Sequence, residues 1–315
     1  MGFSSWSDSV YHSRQNRRRA RRQTAFTYDQ HVRESGVVRV HEQMNPFGVT
    51  RESRDSDQHP DSVAIAVIFD VTGSMDRVPR VLQTRLGALM RVLLHKGYIA
   101  HPQILFGALG DAYCDRVPLQ IGQFESGLEM DDDLGKIYLE GGGGGQVRES
   151  YELALYFCAQ HTTIDCYERR GRKGYLFTIG DEQPYPVLRR EHVRQYIGDV
   201  LQSHIPIEQV VAEVQRQYEY FHIVPTNTSH GRNMEVQAVW KNLLGERTLF
   251  LEDETAVCET IALAIGLCEG TIFDLGRGAD DLVHAGHDPH ATATAVTALT
   301  RYAAVRPPVL PDQIW

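Results

Sequence analysis

The chain has 315 residues, enough for one large α/β domain with extensions or for two small domains. Its 42% hydrophobic and 23% charged residues are ordinary for a globular protein, and no stretch approaches the roughly 18 uninterrupted apolar residues of a membrane span. We therefore expect no membrane helix. The net charge of −9 is unevenly spread: residues 1–22 carry six arginines against one acidic residue, or +5, which leaves −14 for residues 23–315.

The first 60 residues are polar and lack sustained periodicity, which predicts an N-terminal arm and linker. A basic arm on an acidic body suggests a surface that meets an anion, such as nucleic acid or an acidic partner; a solvated, disordered tail is the alternative. The arginines concerned are Arg17, Arg18, Arg19, Arg21 and Arg22.

The cellular location is predicted from the N-terminus and the cysteines. Residues 23–29, which follow the arginines, do not form the apolar core of a signal peptide. The five cysteines are odd in number, scattered and free of CxxC spacing, as expected for reduced thiols. Together these features predict a cytoplasmic protein.

From Asp61 the sequence alternates between strand and helix patterns. Residues 63–69 form an unbroken apolar run, typical of a central parallel strand covered on both faces. Apolar residues then recur at helical spacing from Val78 to Leu93, and we expect that helix to end at Lys96 and Gly97. The next predicted strand covers residues 103–109.

The remaining pattern continues this alternation to about residue 270. It predicts an edge strand at 118–121, helices at 131–139 and 149–159, a strand at 174–179, helices near 190–201 and 206–219, strands at 220–224 and 247–251, and a helix at 254–268. We therefore expect an α/β domain over residues 61–270 with a doubly wound, mainly parallel sheet of about six strands. Residues 271–315 predict a helical C-terminal extension, with helices near 277–284 and 291–304.

Three predicted strands lead directly into an aspartate, namely Asp70, Asp111 and Asp181. Because ligands of open parallel sheets gather at the carboxyl ends of the strands, we expect these carboxylates at one edge. With Thr72 and Ser74, Asp70 supplies a carboxylate and two hydroxyls at i, i+2 and i+4, and hard divalent cations prefer such oxygen ligands. Such a short pattern alone also suits a turn or a helix N-cap, but the strand before it and the helix after it favour a metal loop.

This loop resembles the first loop of the metal-ion-dependent adhesion site (MIDAS) in von Willebrand factor A (vWA) domains, which reads DxSxS. Here Asp70, Thr72 and Ser74 match it, with threonine in the middle. The resemblance covers about residues 61–270 and implies a vWA fold, which is Rossmann-like. It also implies that these residues bind Mg²⁺, or another divalent cation such as Ca²⁺ or Mn²⁺, and that a third loop adds Asp181.

Two loops depart from the family pattern. The glycine run 141–145 lies where a Gly-Gly-Thr loop is usual, but no threonine follows, so Gln146, Glu149 and Ser150 are the available oxygens. We expect Glu149 to act as the replacement ligand. The third loop places Asp181 two residues later than the usual Thr-Asp-Gly. Asp181 therefore either binds the metal directly or contacts the residues that do. Beside the metal, or in a neighbouring site, we expect the side chains of Asp111, Asp115, Ser150 and Glu182.

What the resemblance implies for function is metal-mediated protein binding, in which a partner's carboxylate replaces a metal-bound water, rather than catalysis. Cytoplasmic bacterial-type vWA proteins often work beside MoxR-like AAA+ ATPases, so the resemblance implies a scaffold or adaptor with such a partner. The appended C-terminal helices make a homo-oligomer a further expectation.

Two alternatives use the same residues differently. In a phosphatase similar to the haloacid dehalogenases, Asp70 would be the nucleophile, Ser74 would bind phosphate, and Asp181 and Glu182 would hold Mg²⁺; however, Thr72 stands where that family has its acidic general acid and cannot titrate near neutrality. A nucleic-acid-associated protein would use the arginine-rich arm instead, and its binding would persist in EDTA but weaken with salt.

Overall fold

The computed structural model describes residues 4–141 and 147–306, apart from the side chain of Ser74. This part of the chain is a mixed α/β structure. Its strands are β1 (Arg51–Ser53), β2 (Val63–Asp70), β3 (Pro102–Leu109), β4 (Leu119–Ile121), β5 (Arg148–Glu149), β6 (Thr162–Ile164), β7 (Gly174–Ile179), β8 (Gln183–Pro184), β9 (Val187–Leu188), β10 (Ile205–Pro206), β11 (Tyr218–Pro225) and β12 (Thr248–Leu251).

Helices connect most of these strands. The α-helices are α1 (Asp8–Arg21), α2 (Thr27–Ser35), α3 (Arg77–His95), α4 (Glu129–Gly135), α5 (Tyr151–Gln160), α6 (Asp165–Glu168), α7 (Arg190–Tyr196), α8 (Ile207–Gln217), α9 (Met234–Leu244), α10 (Val257–Glu269), α11 (Leu275–His284) and α12 (Pro289–Val305). Short 3-10 turns cover Glu42–Met44, Gly73–Met75, Gly245–Arg247 and Glu254–Ala256.

The central sheet has six strands in the order β12-β11-β7-β2-β3-β4. All neighbours are parallel except β4, which pairs antiparallel with β3 at one edge, as the sequence predicted for residues 118–121. From β2 the chain continues to β3 on one side, whereas from β7 it continues to β11 on the other. The carboxyl ends of β2 and β7 therefore flank the point where strand order reverses, which is where open α/β sheets bind ligands.

Side chains of the sheet alternate between two hydrophobic cores. Along β2, Val63, Ile65 and Val67 enter the core formed with α3, α10 and α12. Ala64 and Ala66 enter the other core, formed with α5, α8 and α9. All eight residues of β2 are buried, which explains why its sequence reads as one continuous apolar run.

The N-terminal residues differ from the arm that the sequence suggested, because they form two helices that pack on the domain. Tyr11 of α1 is buried against α3, where a Cβ added to Gly87 would lie 2.8 Å from the tyrosine ring. Arg18 of α1 forms an ion pair with the buried carboxylate of Asp131 in α4, with Nη1 2.8 Å from Oδ2. These contacts join residues more than seventy positions apart, so local periodicity gave no sign of them.

Other helices keep their predicted places but change their ends. The helix expected at 131–139 ends at Gly135, and the one expected at 190–201 ends at Tyr196. The two helices predicted in the C-terminal extension are present as α11 and α12, whose side chains Leu282 and Leu299 enter the core shared with α3. In the ranges described, no helix is both long and apolar enough to cross a membrane. The five cysteines all lie within these ranges as free thiols.

Candidate metal site

The carboxylate of Asp70 lies fully buried at the carboxyl end of β2. The chain turns sharply after it, so that the backbone N–H and the hydroxyl of Thr72 both donate to Asp70 Oδ1, at 2.7 and 2.6 Å. The other oxygen, Oδ2, is buried and has no hydrogen-bond partner among the described residues. A buried acceptor without a hydrogen bond costs free energy, and in the part of the chain that the structure describes nothing compensates this oxygen.

Asp181 lies two residues beyond the end of β7 and is also fully buried. Its Oδ2 accepts a hydrogen bond from the backbone N–H of His230, at 2.9 Å. Gly180, between the strand and Asp181, passes close to β2: a Cβ placed there would lie 3.2 Å from the Asp70 Cβ and would overlap the Tyr151 hydroxyl. Glycine at this position therefore allows the β2 and β7 loops to approach each other.

Glu149 and Glu182 form a second pair of acids beside Asp70. The two-residue strand β5 pairs in parallel with β8, and it presents Arg148 to solvent while Glu149 points inward. The carboxyl groups of Glu149 and Glu182 lie close enough to interact, and the charge of Glu182 raises the pKa of Glu149. Both residues are at least nine-tenths buried, and both have an Oε2 without a hydrogen-bond partner within the described ranges. Two carboxyls in such a contact share a proton when no cation separates them.

The loop after β3 contributes Asp111 and Asp115, which are held by local hydrogen bonds. Asp115 Oδ2 accepts from the backbone N–H of Asp111 at 2.7 Å, and Asp111 Oδ2 accepts from the Tyr185 hydroxyl at 3.1 Å. The Ser150 hydroxyl accepts from the backbone N–H of Ala112 at 2.9 Å, which ties this loop to the start of α5. These residues flank Glu149, and their hydrogen bonds hold the loop after β3 in place.

The burial of several acids together raises their pKa values. Desolvation, with added repulsion from Asp181 and Asp115, raises the pKa of Asp70 to about 7 despite the two hydrogen bonds from Thr72. Desolvation and the charges of Asp70 and Asp181 raise the pKa of Glu182 to about 8. The pKa of Glu149 is raised further, by burial first and by Asp70 and Glu182 next. Their ionised forms are thus disfavoured until a positive charge arrives.

The donor set fits a hard divalent cation. The orphaned oxygens of Asp70, Glu149 and Glu182 are carboxylate donors of the kind that Mg²⁺, Ca²⁺ and Mn²⁺ prefer. In the part of the chain that the structure describes, no group of three or more His, Cys, Asp or Glu side chains is arranged to hold an ion directly. A site that uses one or two carboxylates, hydroxyls and water does not need such a group.

The structure thus brings together Asp70, Thr72, Glu149, Asp181 and Glu182 at the carboxyl edge of the sheet. The Ser74 side chain and the alternative ligand Gln146, with glycines 142–145, lie outside the described residues. The arginines of the arm belong to α1 and its C-cap, and Arg18 among them pairs with Asp131 of α4 instead of this site.

The sequence did not identify Tyr151 as a neighbour of these acids. Tyr151 was interpreted as core packing, yet its buried hydroxyl has no hydrogen-bond partner among the described residues and lies over Gly180. Burial and the carboxylates of Asp70 and Asp181 raise the pKa of Tyr151 well above its usual value. The available signal was its position two residues after Glu149, at the first turn of α5.

No protein-family model matches the chain, and no curated protein sequence matches it. Among solved structures, the pilus adhesin SpaC from Lactobacillus rhamnosus GG in its open conformation is similar at 9% identity and a TM-score of 0.47, over 74% of this chain and 34% of the adhesin. Proximal thread matrix protein 1 of the mussel byssus is similar at 10% identity and a TM-score of 0.41, over 65% of this chain and 46% of that protein. The chain thus spans less than half of either protein, and similarities of this size carry no argument about function.

Proposed function

We propose that this protein is a metal-dependent protein-interaction module with a doubly wound fold of the vWA type and a MIDAS-like site at the carboxyl ends of β2 and β7. One observation carries the proposal: Asp70 is fully buried where the strand order reverses, its Oδ1 is oriented by Thr72, and its Oδ2 has no partner in the described structure. A divalent cation is the partner that this atom fits.

The residues divide the work of holding the cation. Asp70 supplies a carboxylate, Thr72 and Ser74 supply hydroxyls, and Asp181 or Glu149 supplies further negative charge. The bound cation would provide a positive charge that accepts a carboxylate from a partner protein. Because Glu149 and Glu182 add acidity beyond the usual adhesion site, the proposed site depends less on the partner's charge than other sites of this type.

The partner and the cellular setting belong to the same proposal. The vWA resemblance suggests an acidic residue of a protein partner, and a AAA+ ATPase of the MoxR-like class is the partner proposed. A cytoplasmic location agrees with the five free thiols. The role is then that of a scaffold or adaptor and not of an enzyme.

Calorimetric titration with MgCl₂ tests the site directly. We expect Asp70→Asn to weaken Mg²⁺ binding by about 100-fold, at the upper end of losses for residues around metal ligands. Asp76→Asn is the matched control, because Asp76 is an exposed carboxylate six positions later that pairs with Arg80. Equal Mg²⁺ affinity in the two variants would overturn the proposal.

A second titration assigns the replacement ligand. If Glu149 binds the cation directly, Glu149→Gln weakens Mg²⁺ binding about as much as Asp70→Asn. An affinity like that of the wild type would leave Asp181 as the acid that completes the site.

A further inference from the structure

The C-terminal half of α1 and its C-cap carry a cluster of arginines that the proposed metal site does not use. Six arginines lie within residues 14–22, but two of them are neutralised by α4. Arg18 pairs with Asp131 at 2.8 Å, and Arg14 pairs with Asp132 at 2.8 Å. The remaining four are exposed and form no ion pair among the described residues: Arg17, Arg19, Arg21 and Arg22.

The helix that presents these side chains is held on the domain. Tyr11 is buried, its ring lies against Gly87 of α3, and its hydroxyl donates to the carbonyl of Gln83. Asp8, the acidic residue of this segment, pairs with Arg91, with Oδ2 3.6 Å from Nε. The four charges are therefore fixed on an ordered surface and need no folding step to bind a ligand, which lowers the entropic cost.

We propose that these four residues, called here the α1 arginine cluster, bind the phosphate backbone of nucleic acid without reading its sequence. Arginine guanidinium groups match phosphate oxygens in a bidentate geometry, and four such charges within six residues suit a polyanion with closely spaced phosphates. The contact is independent of the metal site and goes beyond the proposed function.

A membrane surface and an acidic protein surface fit this arginine cluster less well than nucleic acid does. A membrane-bound helix needs an apolar face beside its basic residues. The exposed large apolar side chain of α1 is Val10, near the end of the helix away from the arginines, and the residues between the arginines are small or polar. An acidic protein surface would bring fewer and less regularly spaced charges than a nucleic acid backbone.

Salt dependence of binding gives the measurement. With a fluorescently labelled duplex DNA of mixed sequence, four phosphate contacts give a slope of log K against log salt of about −3.6. Each of Arg17→Gln, Arg19→Gln, Arg21→Gln and Arg22→Gln should reduce the size of that slope by about one and weaken binding to all sequences alike. Glutamine keeps the helical propensity of the site, so α1 stays folded.

Arg216→Gln provides the matched control. Arg216 is exposed at the last turn of α8, just before the amino end of β11, and has no ion pair within the described ranges. We expect this variant to bind DNA like the wild type, with or without EDTA. Binding by the four α1 variants that equals the control, or tighter binding of the wild type to phosphatidylserine vesicles or a labelled poly-Glu peptide than to the duplex, would overturn the proposal. Loss of Mg²⁺ binding in the calorimetric test would leave it standing.

Discussion

Two regions of this molecule bury carboxylates in different ways. Glu259 of α10 is fully buried, and Arg85 Nη1 lies 2.9 Å and His287 Nδ1 2.7 Å from its Oε1. Asp70 is equally buried, but within the described residues no arginine or lysine forms an ion pair with it, and its neighbours are other acids. Each carboxylate has one oxygen without a hydrogen bond in the described ranges, Glu259 Oε2 and Asp70 Oδ2. The two residues therefore differ in the charge of their neighbours and not in hydrogen bonding.

This contrast separates a buried carboxylate that the chain compensates from one that lies among other carboxylates. Burying a carboxylate is costly unless a cation compensates it, and the chain provides that cation for Glu259 as Arg85 of α3, while the ring of His287 in the loop before α12 adds a polar contact. At the end of β2 it provides further carboxylates in place of a cation. The first region is therefore compensated within the chain, whereas our proposal assigns the compensation of the second to a cation from solution.

The largest expected effect comes from breaking the compensated region. Arg85→Met leaves Glu259 buried without its arginine partner, so we expect a loss of about 3 kcal/mol in the free energy of unfolding, equal with and without Mg²⁺. Arg80→Met on the same helix removes an exposed pair with Asp76 and should cost about 0.5 kcal/mol or less. Urea denaturation measures both, and equal losses would contradict the distinction.

A smaller effect is expected from pH at the acidic region. The raised pKa values of Asp70, about 7, and Glu182, about 8, mean that the folded state holds protons that the unfolded chain releases at lower pH. Stability from these groups is thus present below their unfolded pKa and is lost as pH rises through about 7 to 8. In EDTA, Asp70→Asn should therefore gain on the order of 2 kcal/mol over the wild type between about pH 5 and pH 8.

Mg²⁺ supplies the control for that measurement. A bound cation favours the ionised carboxylates, so the advantage of Asp70→Asn should shrink or reverse when EDTA is replaced by excess MgCl₂. A stability difference that is independent of pH and of Mg²⁺ would show that Asp70 is as well compensated as Glu259.

The smallest effect concerns two buried tyrosine hydroxyls. The Tyr220 hydroxyl lies 2.9 Å from Thr178 Oγ1, whereas the Tyr151 hydroxyl has no hydrogen-bond partner in the described structure. Tyr220→Phe should cost about 1 kcal/mol, and Tyr151→Phe should be nearly neutral or stabilising without Mg²⁺. We also expect Tyr151→Phe to weaken Mg²⁺ binding by less than about tenfold, because the hydroxyl borders the site. A cost for Tyr151→Phe that matches Tyr220→Phe would indicate a partner for its hydroxyl.

The sequence predicted the elements whose signal is local. The apolar run of β2 and the helical spacing of α3 identified both elements within one or two residues of their ends. The glycine and proline residues that interrupt helices were less informative, so that the ends of α4 and α7 were placed too late. For the candidate site, the sequence identified Asp70 and Asp181 because each follows a predicted strand. Tyr151 lies within a helix pattern and has no comparable position.

The sequence by itself determined the alternation of buried strands and amphipathic helices, because the periodicity of apolar side chains depends on residues that are close together in the chain. Only the tertiary structure decided which acids meet a charge from the same chain and which meet one another, because those contacts join residues far apart in sequence. Glu259 and Asp70 both occur in ordinary apolar surroundings in the sequence. Arg85 of α3 and His287 before α12 pack on Glu259. Glu149 of β5 and Glu182, just before β8, lie beside Asp70, and this difference in neighbours makes the chemistry of the two carboxylates different.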